Sequence, residues 1–218
     1  MKSTRITVAV IAAIASTLLS FNAVAHALWL EGDQAATKLY FGEYNEDLRE
    51  TSPGRLDSII DPVVTVIDQA GMGRPVNATR ENNHFAIPGV TAGTAVLVQA
   101  LRQPIRESQS EIPAPAQKRF LYARMGVGGS LPLDINNSGN VLRLSFMGKP
   151  LPKAEIVIIA PNGWEKHLRT DEKGEVSFSL LEPGLYVVEA KHELNNPGEF
   201  EGKAYAMESH KVTLSLYK

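Results

Sequence analysis

Cysteine is absent from all 218 residues, so no disulfide can staple this fold and no lipidated cysteine can anchor it. Basic charge is not in excess, with 22 Lys and Arg against 24 Asp and Glu. No basic stripe therefore marks a nucleic-acid surface, and no polybasic cluster marks a membrane surface. No two of the five histidines (His26, His84, His167, His192 and His210) stand at helical i, i+4 spacing, which excludes a zincin-type signature. A Gly-x-Ser-x-Gly elbow, a phosphate-cradling glycine loop and a cysteine nucleophile are all missing. Paired carboxylates such as Glu46-Asp47 sit in polar sequence and require no acid–base role. These absences lead to the expectation of a non-catalytic protein.

Long hydrophobic runs are scarce too, with one exception. Lys2 and Arg5 precede an uncharged apolar stretch, Thr7 to Val24, that closes on Ala23-Val24-Ala25. A short basic region, an apolar core and small residues at −3 and −1 describe a secretory signal peptide over residues 1–25. The stretch is barely long enough to span a bilayer, and no basic stop-transfer cluster follows it. Cleavage after Ala25 makes His26 the first residue; removing Lys2 and Arg5 then leaves 20 basic residues against 24 acidic ones, a net charge of −4. Cleavage after Ala27 also satisfies the small-x-small rule and would discard His26. A cut after Ala23 would place His26 third, with Phe21 at −3 against it.

The rest of the chain consists of short runs of Val, Ile and Leu divided by Gly, Pro, Asn and Asp, which predicts an all-β protein. Two packed β-sandwich-like halves are expected, residues 26–138 and 139–218, with a joint near Leu131-Pro132-Leu133-Asp134 and Asn136 to Asn140. The closing hairpin is the most informative stretch. Leu185 to His192 and His210 to Tyr217 both alternate with period two. His192 then shares a face with Tyr186, Val188 and Ala190, and His210 with Val212, Leu214 and Leu216. Both imidazoles are expected on the inward side of one sheet end, flanking a long polar connection from Glu193 to Ser209.

From Val141 onward the chain resembles transthyretin-like, carboxypeptidase-regulatory-type sandwiches. The resemblance rests on Gly148-Lys149-Pro150-Leu151-Pro152, on Thr170 to Phe178 and on Pro183 to Val188. A wider set of motifs spans the whole chain after residue 25. It comprises His26-x-x-Trp29-Leu30-Glu31, Phe41-Gly42-Glu43-Tyr44, Leu48-Arg49-Glu50, Leu131 to Asp134, Pro161-Asn162-Gly163-Trp164 and Glu189 to Glu193. In that order they look like the periplasmic family filed as domain of unknown function 4198. The resemblance implies a periplasmic β protein, with some members described as accessory to nickel or cobalt uptake, so that a membrane metal transporter is the implied partner.

Ligand chemistry gives a specific expectation. The α-amine and Nδ1 of a terminal His26 can chelate one metal ion, and His192 and His210 are expected to supply the remaining imidazoles of a histidine brace. Nitrogen donors of this kind suit nickel, cobalt and copper, with copper(II) favoured on intrinsic affinity. The amine must shed its proton to bind, so affinity rises with pH. His84 is a reserve ligand, and His167 is expected to be solvated. Glu31, Glu43, Glu193 and Glu208 are available as oxygen donors or as carboxylates that orient an imidazole. Two other readings compete: a metal-free scaffold or adhesion module, and a copper oxidase of brace type.

Overall fold

The computed structural model describes residues 26–32, 36–107 and 115–218; the expected export signal lies outside them. Short alternating runs punctuated by turn residues produce strands almost everywhere. In chain order they are β1 (Ala27–Glu31), β2 (Thr37–Glu43), β3 (Leu48–Arg49), β4 (Val63–Ile67), β5 (Gly73–Val76), β6 (Thr79–Arg80), β7 (Phe85–Ile87), β8 (Ala95–Ala100) and β9 (Gln117–Met125). A 3-10 turn, Arg55–Ser58, interrupts this run. There follow β10 (Leu133–Ser138), β11 (Val141–Phe146), β12 (Lys149–Pro150), β13 (Glu155–Ile159), β14 (Glu165–Arg169), β15 (Glu175–Ser177), β16 (Leu185–Leu194), β17 (Gly198–Phe200), β18 (Lys203–Tyr205) and β19 (Met207–Tyr217). The chain is all-β, with sheets packed as sandwiches. No helix among the described residues is long and apolar enough to cross a membrane.

A central eight-stranded sheet runs β14-β13-β16-β19-β9-β8-β4-β5. Alternate side chains of its strands serve opposite faces. One face carries Tyr122, Val188, Val212 and Leu214 and packs on Leu133, Ile135, Leu142 and Leu144 of the β10-β11-β12 sheet. The other face carries Val64, Val96, Val98, Leu121 and Ala123 and packs on Leu28, Leu30, Leu39 and Phe41 of the β1-β2-β7-β6 sheet. The result is three layers with two main cores and a smaller cluster of Trp29, Tyr40 and Val187.

Strands from both expected halves, residues 26–138 and 139–218, share this central sheet. β9 pairs in parallel with β19 from Gln117 opposite Met207 to Met125 opposite Ser215, joining early and late strands in one sheet. The supposed joint is a tight hairpin in which Ser138 pairs with Val141. Gly139, at φ 56°, takes the left-handed position that such a two-residue loop needs. Asn, Ser and Gly mark a turn here, and a turn has the same local composition as a linker. The connection after β16 also differs from expectation, because β17 and β18 form a small hairpin within it.

The first strand is held in an unusual way. β1 is the edge of its sheet, and its outer backbone groups abut the face of β19 in a dry interior. Thr213 Oγ1 donates to the Leu28 carbonyl at 2.6 Å, and the Leu30 amide donates to Ser215 Oγ at 3.2 Å. Farther along, the Gly32 amide donates to the Tyr217 hydroxyl at 2.9 Å. Thr213 and Ser215 are 0% and 2% exposed, so these hydroxyls satisfy edge-strand groups that water cannot reach.

Candidate functional site

His192 and His210 stand directly opposite each other in the β16–β19 ladder. Both rings pack on Phe146, with centroids at 4.7 and 4.9 Å. His210 is 3% exposed and stacks on Phe120 at 4.7 Å. Its Nδ1 lies 3.0 Å from the Tyr122 hydroxyl and its Nε2 lies 3.2 Å from Glu208. Burial lowers the pKa of both histidines, with Glu208 opposing the effect at His210. A neutral His210 satisfies all its neighbours at once: Nε2–H donates to Glu208, and Nδ1 accepts from Tyr122. That tautomer leaves His210 no free lone pair for a metal ion.

His26 is on the other side of the central sheet. Leu28 and Leu30 are held by Thr213 and Ser215, which fall on the odd-numbered face of β19, whereas His210 falls on the even-numbered one. Continuing β1 back by two residues brings His26 level with Lys211, at the same end of the sheet as His210 but with the sheet between them. The expected set of His26, His192 and His210 is thus divided two and one. Both strands alternate in sequence, but nothing in the alternation says on which face a remote edge strand will land.

Different groups surround His26. Its ring lies 5.2 Å from that of Phe41, its Nδ1 is 3.1 Å from Glu43 Oε1, and its Nε2 contacts Glu50. Arg55 stands 3.7 Å from the same Glu50 oxygen. The carboxylates arrive through the β2–β3 pairing, in which Gly42 opposes Arg49 and Glu43 opposes Leu48. Gly42 is required there: at φ 153°, any Cβ would meet the Leu48 carbonyl oxygen at 2.1 Å. Next to this pairing, Arg49 bonds Glu31 at 2.7 Å, and its guanidinium lies 4.8 Å from the Tyr40 ring centroid. Trp29 Nε1–H donates to the same Glu31 oxygen at 2.7 Å. The motif residues of β1, β2 and β3 therefore fall into two groups on opposite faces of the first sheet, His26, Phe41, Glu43 and Glu50 on the core face and Trp29, Glu31 and Arg49 on the other. Glu43 was legible as an oxygen donor; Glu50 had no signal beyond its place in a motif.

Neither remaining histidine reaches His26 or its two carboxylates. His84 Nδ1 lies 2.8 Å from Asn83 Oδ1, and the ring packs 5.6 Å from Tyr40. His167 is exposed between Glu155 and Glu165, at 3.1 and 3.2 Å; the hydrogen bond to Glu155 raises its pKa.

No family model matches the chain. No curated protein matches it. Among solved structures, a two-domain fibronectin type-III segment of chicken tenascin matches over 88% of this chain and 99% of that one, at 10% identity and a TM-score of 0.26.

Among the described residues, no three His, Asp or Glu side chains converge as a ready metal cage. At His26, however, one side-chain pair has suitable spacing. Two donors about 2.1 Å from one ion and at right angles lie about 3 Å apart, and Nδ1 and Glu43 Oε1 are separated by 3.1 Å. In the tautomer that carries its proton on Nε2, Nε2–H would donate to Glu50 and the Nδ1 lone pair would face Glu43, leaving a place for a cation between them; Arg55 also lies 3.3 Å from Nε2. A third donor would have to be the α-amine exposed by cleavage after Ala25.

Proposed function

We propose that this is an exported, periplasmic protein that captures a transition-metal ion at its processed N-terminus for delivery to a membrane transporter. The ligands in this reading are the His26 α-amine, His26 Nδ1 and Glu43, while Glu50 fixes the imidazole through Nε2. His192 and His210 serve instead as packing for the hairpin. Nickel or cobalt follows from the family resemblance, and copper from the nitrogen donors. The carrying observation is the 3.1 Å approach of Glu43 to His26 Nδ1 with Glu50 on the opposite ring nitrogen. A carboxylate on the distal nitrogen orients a ligating imidazole and increases its basicity.

The test starts with mass spectrometry of the exported chain, to verify that it begins at His26. Calorimetric titration with nickel(II) and copper(II) should then give one site. His26→Ala should abolish tight binding and Glu43→Gln should weaken it by about 10- to 100-fold, the usual scale for groups at a metal centre. His192→Ala should leave affinity unchanged. Tight binding that survives His26→Ala, or a mature chain beginning at Leu28, would overturn the reading.

A further inference from the structure

The cleft beneath His26 has a volume of about 420 Å³ and combines apolar walls with a concentration of cations. Phe41, Pro104 and Ile105 line its apolar part, and Arg55, Arg106 and Arg119 line its polar part. The available carboxylates do not neutralise it. Glu43 is engaged by His26, and Glu50 by His26 and Arg55. Arg106 and Arg119 make no side-chain hydrogen bond or ion pair among the described residues.

Both arginines are held in place by their backbones. Arg119 belongs to β9, opposite Ser209 of β19, on the face that carries Leu121 and Ala123. Arg106 is tied to Gln117 by two backbone hydrogen bonds of 2.9 Å. The segment just ahead of Arg106 is anchored by Gln103, whose side chain donates to the Ser58 carbonyl at 2.9 Å and whose own carbonyl accepts from the buried Lys118. Burial and the neighbouring Arg106 both disfavour the charge on Arg119. Two like charges fixed side by side without a counter-ion are costly in a half-buried site, unless an anion joins them.

We propose that this cleft binds a small organic carboxylate, with Arg106 and Arg119 gripping the carboxylate and the Phe41–Pro104–Ile105 wall receiving the carbon skeleton. The guanidinium fork matches a planar carboxylate in a bidentate manner. The apolar wall favours an organic acid over an inorganic ion. The site needs no metal, so it stands or falls separately from the capture reading.

The experiment uses the full processed protein, stripped of metal with a chelator and then dialysed. Succinate, citrate and inorganic phosphate are titrated calorimetrically at low and at physiological ionic strength. Succinate or citrate should bind one-to-one and more tightly than phosphate, weakening as salt rises. Arg119→Met should reduce that affinity at least 10-fold while leaving Tm unchanged or higher, because it removes an uncompensated charge and keeps the aliphatic volume. Arg106→Gln provides a second variant at a more exposed position and should also lose affinity. Absence of saturable carboxylate binding would overturn the proposal, as would preference for phosphate or undiminished binding in both variants. A fall in Tm for Arg119→Met with carboxylate affinity intact would assign the arginine a structural role instead.

Discussion

Replacing Thr213 by valine deletes one hydroxyl and almost no volume, so it isolates what that hydroxyl does for the first strand. Thr213 is fully buried, and its Oγ1 is 2.6 Å from the Leu28 carbonyl. Valine leaves that carbonyl dry and without its partner. An unsatisfied buried polar group costs about 1–3 kcal/mol. At about 2 kcal/mol and this chain length, Tm should fall by roughly 4–8 °C. Ser215→Ala should act similarly by stranding the Leu30 amide. The two positions hold one strand, so the double variant should lose less than the sum. Thr213→Ser keeps the hydroxyl and should cost less than Thr213→Val. Urea unfolding gives the stability change, and hydrogen exchange at the Leu30 amide tells whether β1 itself has loosened. His26 lies two residues upstream, so metal affinity should fall in the same variants. If Thr213→Val and Ser215→Ala both cost under about 0.5 kcal/mol and β1 amides exchange as before, the hydroxyls do not anchor the strand.

Two further outcomes follow from groups buried on the opposite face. Arg124 and Asp134, 0% and 2% exposed and 2.6 Å apart, join β9 to β10. Asp134→Ala should cost about 3–5 kcal/mol by leaving a buried guanidinium without its charge partner; Arg124→Met with Asp134→Leu should recover most of that loss in urea unfolding. A loss under about 1 kcal/mol for the single variant would show the pair to be dispensable. His192 and His210 have depressed folded pKa values because of burial, so the unfolded chain takes up their protons first. Stability should therefore decline as pH falls through the ordinary histidine range near 6.5 toward the lower folded values. His192→Phe should flatten the stability profile between about pH 7.5 and 5.5, and an unaltered slope would remove His192 as a source of acid sensitivity.

How far the sequence can be read is seen most clearly in β19. Its even positions, His210, Val212 and Leu214, announce a core face, and period two alone puts His192 and His210 on inward faces; the register that sets them directly opposite is seen only in the pairing of β16 with β19. Its odd positions, Lys211, Thr213 and Ser215, have the polarity of a solvated face, yet two of them are dry because they serve the backbone of β1. A hydroxyl that faces water and one that caps a buried strand look alike in one sequence. The parallel contact of β9 with β19 links residues some 90 positions apart and leaves no local trace either. The strands and the all-β class were legible because each strand is encoded within ten residues or so. The grouping of the histidines was not, because it depends on which side of a sheet a distant edge strand settles. The β1–β2 register, with Ala27 opposite Gly42, brings His26 to Glu43 and Glu50, and those same two hydroxyls hold this edge strand on the face away from His192 and His210. The surroundings of the start of the chain thus depend both on its neighbour strand β2 and on side chains almost at the chain's end.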